Sequence, residues 1–353
     1  MNPRAVFERF GITADLEPHG DGHINTTYID KNRQYILQRI NTDVFTDPDR
    51  LMKNIEAVTA FLRQKLEKTN GDPERETLTV IPATDGNLCY KAEDGSVWRA
   101  YRFVRDTYSV TVSRDTRELY EAGKAFGRFQ RLLADFPAGE LYESIADFHN
   151  TKKRVENLKN AVRNDPVGRA NGVQREIDLF LSHEEKASVV TDGIEKGEIP
   201  LRVTHNDTKI NNVLFDKHTK KAICVVDLDT VMPGSALYDF GDAVRSGAVT
   251  AKEDETDLSL VKIDLERFEG FAKGFLSQTR QTLTERELAL LPFSAWLMTY
   301  ECGCRFLTDY INGDTYFRIH REGQNLDRAR CQLALAEDIE RNLDKMKKLI
   351  KAD

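Results

Sequence analysis

Residues 204–216 read THNDTKINNVLFD, a polar run between apolar flanks. His205, Asn206, Asp207, Thr208, Lys209 and Asn211 are not residues that a core strand or an amphipathic helix selects, and Asn212 follows just before Val213, Leu214 and Phe215 resume the apolar pattern. A second polar stretch, VVDLDT, carries Asp227 and Asp229. Carboxylates and an amide oxygen are hard ligands of the kind that suit Mg2+. A Mg2+ held by one or two protein groups completes its shell with water and phosphate oxygens, so the pattern points to a nucleoside triphosphate and phosphoryl transfer.

Something must bring the two stretches together. VLFD and KAICVV flank the polar turn KHTK and read as an antiparallel hairpin, which returns both stretches to one end. Asp207, Asn212, Asp227 and Asp229 are then expected to meet. Asp207, with Lys209 beside it, is the candidate to orient an acceptor hydroxyl and take its proton. Asn212 and Asp227 are the candidate metal ligands.

The remainder of the chain divides into two patterns. TTYIDK and RQYILQRIN predict a hairpin, and TLTVIPA and LCYKAEDGSVWRAYRFV predict three more strands, the last two joined at Asp94-Gly95. Between them, Leu51, Ile55, Val58 and Leu62 recur at helical spacing. From about residue 113 the pattern becomes helical, with Leu119, Ala122, Phe126, Phe129 and Leu133 on one stripe and further helices near 147–163, 173–190, 259–278, 284–311 and 325–349. The expected class is α+β and bilobal: a small β-rich lobe over 1–104 for nucleotide, and a larger, mainly helical lobe over 105–353 for catalysis and acceptor.

Composition narrows the classes. The net charge of −7 argues against a nucleic-acid surface, and no run of about 18 apolar residues predicts a membrane span. The start, MNPRAVFERFGI, lacks the pattern of a signal peptide, so the cytoplasm is the expected compartment. Five irregularly spaced cysteines predict free thiols, with Cys302 and Cys304 as small helix residues rather than a metal pair.

His205, Asp207 and Asn212, as H-x-D-x-x-x-x-N, followed by an apolar strand pair and Asp227, resemble the catalytic core of the protein-kinase-like small-molecule kinases, which include aminoglycoside phosphotransferases, choline kinases and homoserine kinases. The resemblance implies ATP and Mg2+ and a kinase-like fold, and gives Asp239 the place of a buried brace for the catalytic loop. HGDGHINTTYID takes the position of the phosphate-covering turn, with Gly20 and Gly22 admitting close backbone approach. That family pairs a strand lysine with a helix glutamate. Here YILQRI offers Gln38 or Arg39, on opposite faces of the strand, with Glu56 as a partner for Arg39. Adenine is expected on the backbone from Arg102 to Val104, between Phe103 and Leu37.

Across nearly the whole chain, GDGHINTTY, YILQRIN, THNDTKINNVLFD, VVDLDTVMPGSALYDFGDAVR and FLTDYINGDTYFRI are similar to the N-acetylhexosamine 1-kinases. This implies transfer of the ATP γ-phosphoryl to the anomeric hydroxyl of GlcNAc or GalNAc. Glu301, Arg305 and Tyr316 are then candidates for the sugar, Asp229 faces the acceptor, and His23 and Asn25 reach it from the glycine turn. A Glu301–Arg305 pair one helical turn apart is the plainer expectation for that helix. Choline, homoserine, an aminoglycoside or another sugar remain alternative acceptors, and a nucleotide-binding regulator without chemistry is the third reading.

Overall fold

The computed structural model describes residues 2–20, 24–112 and 115–351. The N-terminal part is an antiparallel sheet flanked by helices. Its strands are β1 (Leu16–Pro18), β2 (Thr26–Asp30), β3 (Tyr35–Ile40), β4 (Val80–Ile81), β5 (Tyr90–Lys91) and β6 (Val97–Arg102), in the order β1-β2-β3-β6-β4 with β5 also on β6. Helix α1 (Pro3–Glu8), absent from the sequence expectation, lays Val6 and Phe7 on the outer face of this sheet beside Leu37, Trp98 and Ala100. Helix α2 (Pro48–Lys68) covers the other face; Asp47 caps its first turn and Pro48 opens it. A single turn, α3 (Pro73–Glu76), follows.

Strand alternation now assigns the side chains. Leu37, Trp98 and Ala100 point outward, so Gln38 and Arg99, paired across β3 and β6, point inward toward the larger part. Tyr101 and Val97 share that inner face and join the main core. This core runs without a break from Ile40 to Ile350, so the apolar interior does not divide at residue 104.

The helical part contains α4 (Thr116–Leu132), α5 (Thr151–Asn164), α6 (Gln174–Ser182), α7 (Glu184–Ala187), α8 (Val189–Glu195), α9 (Ala236–Gly247), α10 (Leu265–Thr279), α11 (Glu285–Ile311) and α12 (Gln324–Lys351). Helices α4 and α10 meet backbone to backbone: a Cβ at Gly123 would stand 2.2 Å from the Phe271 carbonyl oxygen. Thr284 and Glu287 close a capping box at the head of α11, which crosses the core with Trp296, Leu297, Tyr300 and Leu307 buried.

The strands that matter for the site are short. β9 (Val213–Asp216) and β10 (Ala222–Val225) form the expected hairpin, and β7 (Thr107–Tyr108) adds to its β9 edge. A second ribbon was not expected: β8 (Arg202–Thr204) pairs with β11 (Met232–Gly234). The loop 205–212 therefore runs from β8 to β9, and the loop 226–231 runs from β10 to β11. Each loop is pinned at both ends by strands that pair with those of the other. All five cysteines are free thiols, and no helix is long and apolar enough to cross a membrane among the described residues.

Candidate active site

The double pinning places the polar run of residues 205–212 beside the turn at 226–231. The Asn212 carbonyl accepts the Val226 amide at 2.9 Å, which sets Asp227 next to Asn212 at the end of the hairpin. Asn206 and Asp227 both adopt left-handed backbone, with φ of 64° and 61°, a conformation that Asn and Asp tolerate better than most side chains.

Asp239, on α9, holds the first loop. Its Oδ2 accepts the His205 amide at 3.0 Å and Gln130 Nε2 at 2.6 Å, and its Oδ1 accepts the Asn206 amide at 2.8 Å. Burial keeps this carboxyl above the usual carboxylate range, and His205 and the backbone donors offset part of that. Its neighbour Asp242, which the sequence reading passed over, accepts the Thr208 amide at 3.0 Å. Burial would push Asp242 up, yet Arg245 and Lys209 hold it below the ordinary value.

His205 is fully buried between Phe126 and Phe129 and acts as a strut. Its Nδ1 accepts the Asp207 amide at 3.3 Å, which leaves Nε2 to donate to the Val226 carbonyl at 2.9 Å. One ring thus links the two loops. The Thr230 hydroxyl adds another link by donating to the His205 carbonyl at 2.6 Å.

At the centre, the Asp207 side chain is 30% exposed and lies 3.0 Å from Lys209 Nζ. The Asp207 charge is the main reason that Lys209 holds its proton more tightly than an ordinary lysine. Asn212 Nδ2 donates to the Asp207 carbonyl at 2.8 Å and to Oδ2 at 3.2 Å. The amide is thereby oriented with Oδ1 left for a cation. Asp227 is exposed, and its carboxylate has no hydrogen-bond partner among the described residues. The surrounding walls first, then the charges of Asp229 and Asp207, push its carboxyl up to about 6. Crowded negative charge with no donor is a site that a divalent cation would relieve. Among the described residues no three His, Cys, Asp or Glu side chains form a metal cluster, and the candidate set is one carboxylate and one amide. That is what Mg2+ bridging to phosphate asks of a protein.

Several expectations need correction. Asp229, expected to face the acceptor, is held by protein groups: Arg99 Nη1 donates to its Oδ1, while Arg99 Nη2 at 3.0 Å and Asn25 Nδ2 at 2.6 Å donate to Oδ2. Asn25 is correspondingly engaged at the lobe junction, with its Oδ1 accepting the Asn41 amide at 3.0 Å. The Arg39–Glu56 pair does not form, because both residues are exposed and Arg39 lies on the outer face of β3. Gln38 is the inward residue, and it accepts Arg99 Nε at 3.0 Å while donating to Thr27 at 3.0 Å. Leu37 belongs to the outer cluster and cannot wall an adenine site.

Of the backbone from Arg102 to Val104, the Arg102 and Phe103 amides are taken by the Thr79 and Gln34 carbonyls at 2.9 and 2.8 Å, and the Arg102 side chain turns out to Glu74. The Val104 amide has no partner among the described residues. Gly20 is described, with φ of 71°; Gly22 and His23 lie outside the described residues.

On α11, Glu301 is buried and spoken for. It accepts the Thr151 hydroxyl at 2.6 Å and sits 2.7 Å from His149 Nδ1, so the Glu301–Arg305 pair is not made. His149 Nε2 in turn lies 3.0 Å from the Asn206 carbonyl, which makes Glu301 a remote support of the loop 205–212. Arg305 instead lies against Phe148, Tyr316 and Phe317 and donates to the Tyr316 hydroxyl at 3.4 Å. Tyr316 is 62% exposed. Arg154 joins this group, donating to the Phe148 carbonyl at 2.6 Å. Burial, and then the charge of Arg305, weaken its hold on a proton. Neither arginine forms an ion pair with a carboxylate among the described residues.

Sequence reasoning missed Arg99, His149 and Arg154 as well as Asp242. Only Arg99 left a signal, as a charge with apolar neighbours on both sides in VWRAY.

Known proteins share this architecture. A microcompartment-associated aminopropanol kinase aligns over 98% of this chain and 97% of its own, at a TM-score of 0.61 and 18% identity. An aminoglycoside phosphotransferase from Alicyclobacillus acidocaldarius aligns over 100% and 97%, at 0.64 and 11%. A spectinomycin phosphotransferase solved with ADP and spectinomycin aligns over 97% of each chain, at 0.58 and 12%. At these identities the likeness is one of fold. The profile of the phosphotransferase enzyme family matches residues 15–271, which contain the whole of the loop, hairpin and Asp239 arrangement, and the chain belongs to that family.

Proposed function

We propose that this chain is an ATP- and Mg2+-dependent kinase that phosphorylates the anomeric hydroxyl of an N-acetylhexosamine, GlcNAc or GalNAc. Residues 1–104 would supply most of the nucleotide site, with the Gly20 turn over the phosphates and the free Val104 amide for adenine; residues 105–353 would supply catalysis and the acceptor site. Asp207 orients the acceptor hydroxyl and accepts its proton as the new O–P bond forms and the bond to the leaving ADP breaks. Lys209, 3.0 Å from that carboxylate, adds positive charge beside the reacting phosphoryl group. Asn212 and Asp227 would hold Mg2+, which neutralises phosphate charge when bound.

The observation that carries the acceptor class is Arg305, which makes no carboxylate ion pair among the described residues, is framed by Phe148 and Tyr316, and has a second guanidinium, Arg154, beside it, with Glu301 and Asp147 acting on Arg154 only at longer range. Cationic acceptors would be repelled there. A neutral sugar offering hydroxyl and acetamido oxygens would satisfy guanidinium donors, and its apolar face would lie on an exposed tyrosine ring.

A second reading, an amino-alcohol acceptor, draws on a cavity of about 230 Å3 beside Asn206 and His149 whose walls include Glu143, Asp147 and Glu195. Those carboxylates are already engaged, Glu195 by Lys152, Glu143 by the Asp147 amide and Asp147 by Asn150 Nδ2, which makes this reading the weaker. Incubation with ATP, Mg2+ and a panel of GlcNAc, GalNAc, galactose, choline, 1-amino-2-propanol and kanamycin, followed by ADP release, separates the two. Turnover on the first two with phosphate on the anomeric oxygen is expected. Turnover on the amines alone would refute the hexosamine assignment.

A further inference from the structure

Arg99 is the one cation on the inner face of β3 and β6 among the described residues, since Arg39 and Arg102 turn outward. Its guanidinium is fully buried and almost fully committed. Nε donates to Gln38, Nη1 to Asp229 and to Met52 Sδ at 4.0 Å, and Nη2 to Asp229 at 3.0 Å. Four of its five N–H donors are used, so little remains for a phosphate.

The other end of this contact is equally fixed. The Asp229 carbonyl accepts the Ser144 hydroxyl at 3.0 Å, and the next residue, Thr230, is tied to His205. Asp229 thus belongs by its backbone to the large lobe and by its side chain to the small one, and it stands two residues from Asp227. Helix α2 contributes here without a carboxylate. Met52 lies against Arg99, and Asn54 Nδ2 donates to the Val231 carbonyl at 3.1 Å, while Glu56 is turned out to solvent.

We propose that Arg99 is a positioning residue that does the work of the absent strand lysine through protein rather than phosphate. Its two-point grip on Asp229 fixes the Asp227 turn against the small lobe and thereby sets affinity for the nucleotide–Mg2+ complex. The hydrogen bond from Asn25 draws the segment after the glycine turn onto the same carboxylate. The inference rests on the kinase reading and is independent of which acceptor is used.

Calorimetric titration with ATP–Mg2+ and with Mg2+-free ADP tests it without any acceptor. In Arg99→Gln the Kd for ATP–Mg2+ should rise about tenfold or more, as for loss of a group that orients a metal ligand, while Mg2+-free ADP binds within about twofold. Arg99→Lys keeps the charge and the fold but loses the two-point geometry, and should show the same split at smaller size. Gln38→Lys combined with Arg99→Gln returns a cation to the same face and should recover part of the loss. Equal losses for both nucleotides would mean direct phosphate contact and overturn the proposal, as would unchanged binding in either folded variant. A parent chain that binds no ATP–Mg2+ would instead overturn the kinase reading beneath it.

Discussion

The lobe junction and the proposed acceptor rim are both built around arginine, and they are built in opposite ways. At the junction, Arg99 and Asp229 are buried and saturate each other, with Gln38, Asn25 and Met52 taking what remains. At the rim, Arg305 and Arg154 repel one another and neither is ion-paired among the described residues: Arg305 lies against the rings of Phe148 and Tyr316, and Arg154 donates to the Phe148 carbonyl with Glu301 and Asp147 at longer range. A satisfied buried pair contributes geometry, and breaking one half of it leaves a charge stranded. An unsatisfied pair near the surface has donors to offer. On the proposed reading, the difference separates residues that hold the site from residues that wait for a ligand.

That separation can be broken most severely at the reacting group itself. Asp207→Asn should lower turnover by about 10²–10⁴-fold, the range for removal of general-base help, with ATP binding nearly intact by calorimetry; turnover within tenfold of the parent would mean another group takes the proton. Asp229→Ala tests the saturated side. It should destabilise the fold by about 3–5 kcal/mol in denaturant unfolding, because Arg99 is left buried and uncompensated. Arg305→Ala tests the open side. Loss of a charged hydrogen bond of about 1.5–3 kcal/mol should raise the acceptor KM roughly ten- to a hundredfold. Its melting temperature should stay where it was, and a large drop would place Arg305 with the structural residues.

A smaller effect concerns Asp227, whose carboxyl rises from 3.8 to about 6 in the folded chain. The metal-free fold therefore binds this proton more tightly than the unfolded chain does. The resulting stabilisation is complete below about pH 4 and is lost as pH rises through about 6. Asp227→Asn removes it, so the variant should gain on the parent, on the order of 2 °C in melting temperature, between pH 4.5 and 7.5 without Mg2+. An offset that does not change with pH would show that the crowding is harmless. Smallest of all, Arg39→Ala and Glu56→Ala should each shift stability by less than about 0.5 kcal/mol, as exposed positions do, and leave nucleotide binding unchanged.

Much of the loop 205–212 arrangement was legible because its information is local. His205, Asp207, Asn212, Asp227 and Asp239 fall within one stretch, and the hairpin between them follows from two short apolar runs and a polar turn. The ribbon that finishes the arrangement was not legible. Its strands are three residues long, and β11 contains Pro233 and Gly234, which argue against a strand when read alone. The junction was hidden for another reason: Arg99 and Asp229 are 130 residues apart, and nothing local to either names the other. Asp229 therefore read as an acceptor ligand.

The amino-acid sequence determined the chemistry available here, since residue types and short spacings fix which groups can accept a proton, hold a hard cation or turn a chain. It also determined that Gln38 and Arg39 point to opposite faces. Which of them looks inward was decided only when Leu37 packed under α1 with Trp98 and Ala100, burying one face of the strand in an apolar layer. Partnership between distant charges was likewise a tertiary decision, because a carboxylate has no preference among cations until the fold brings one within reach and removes the water between them.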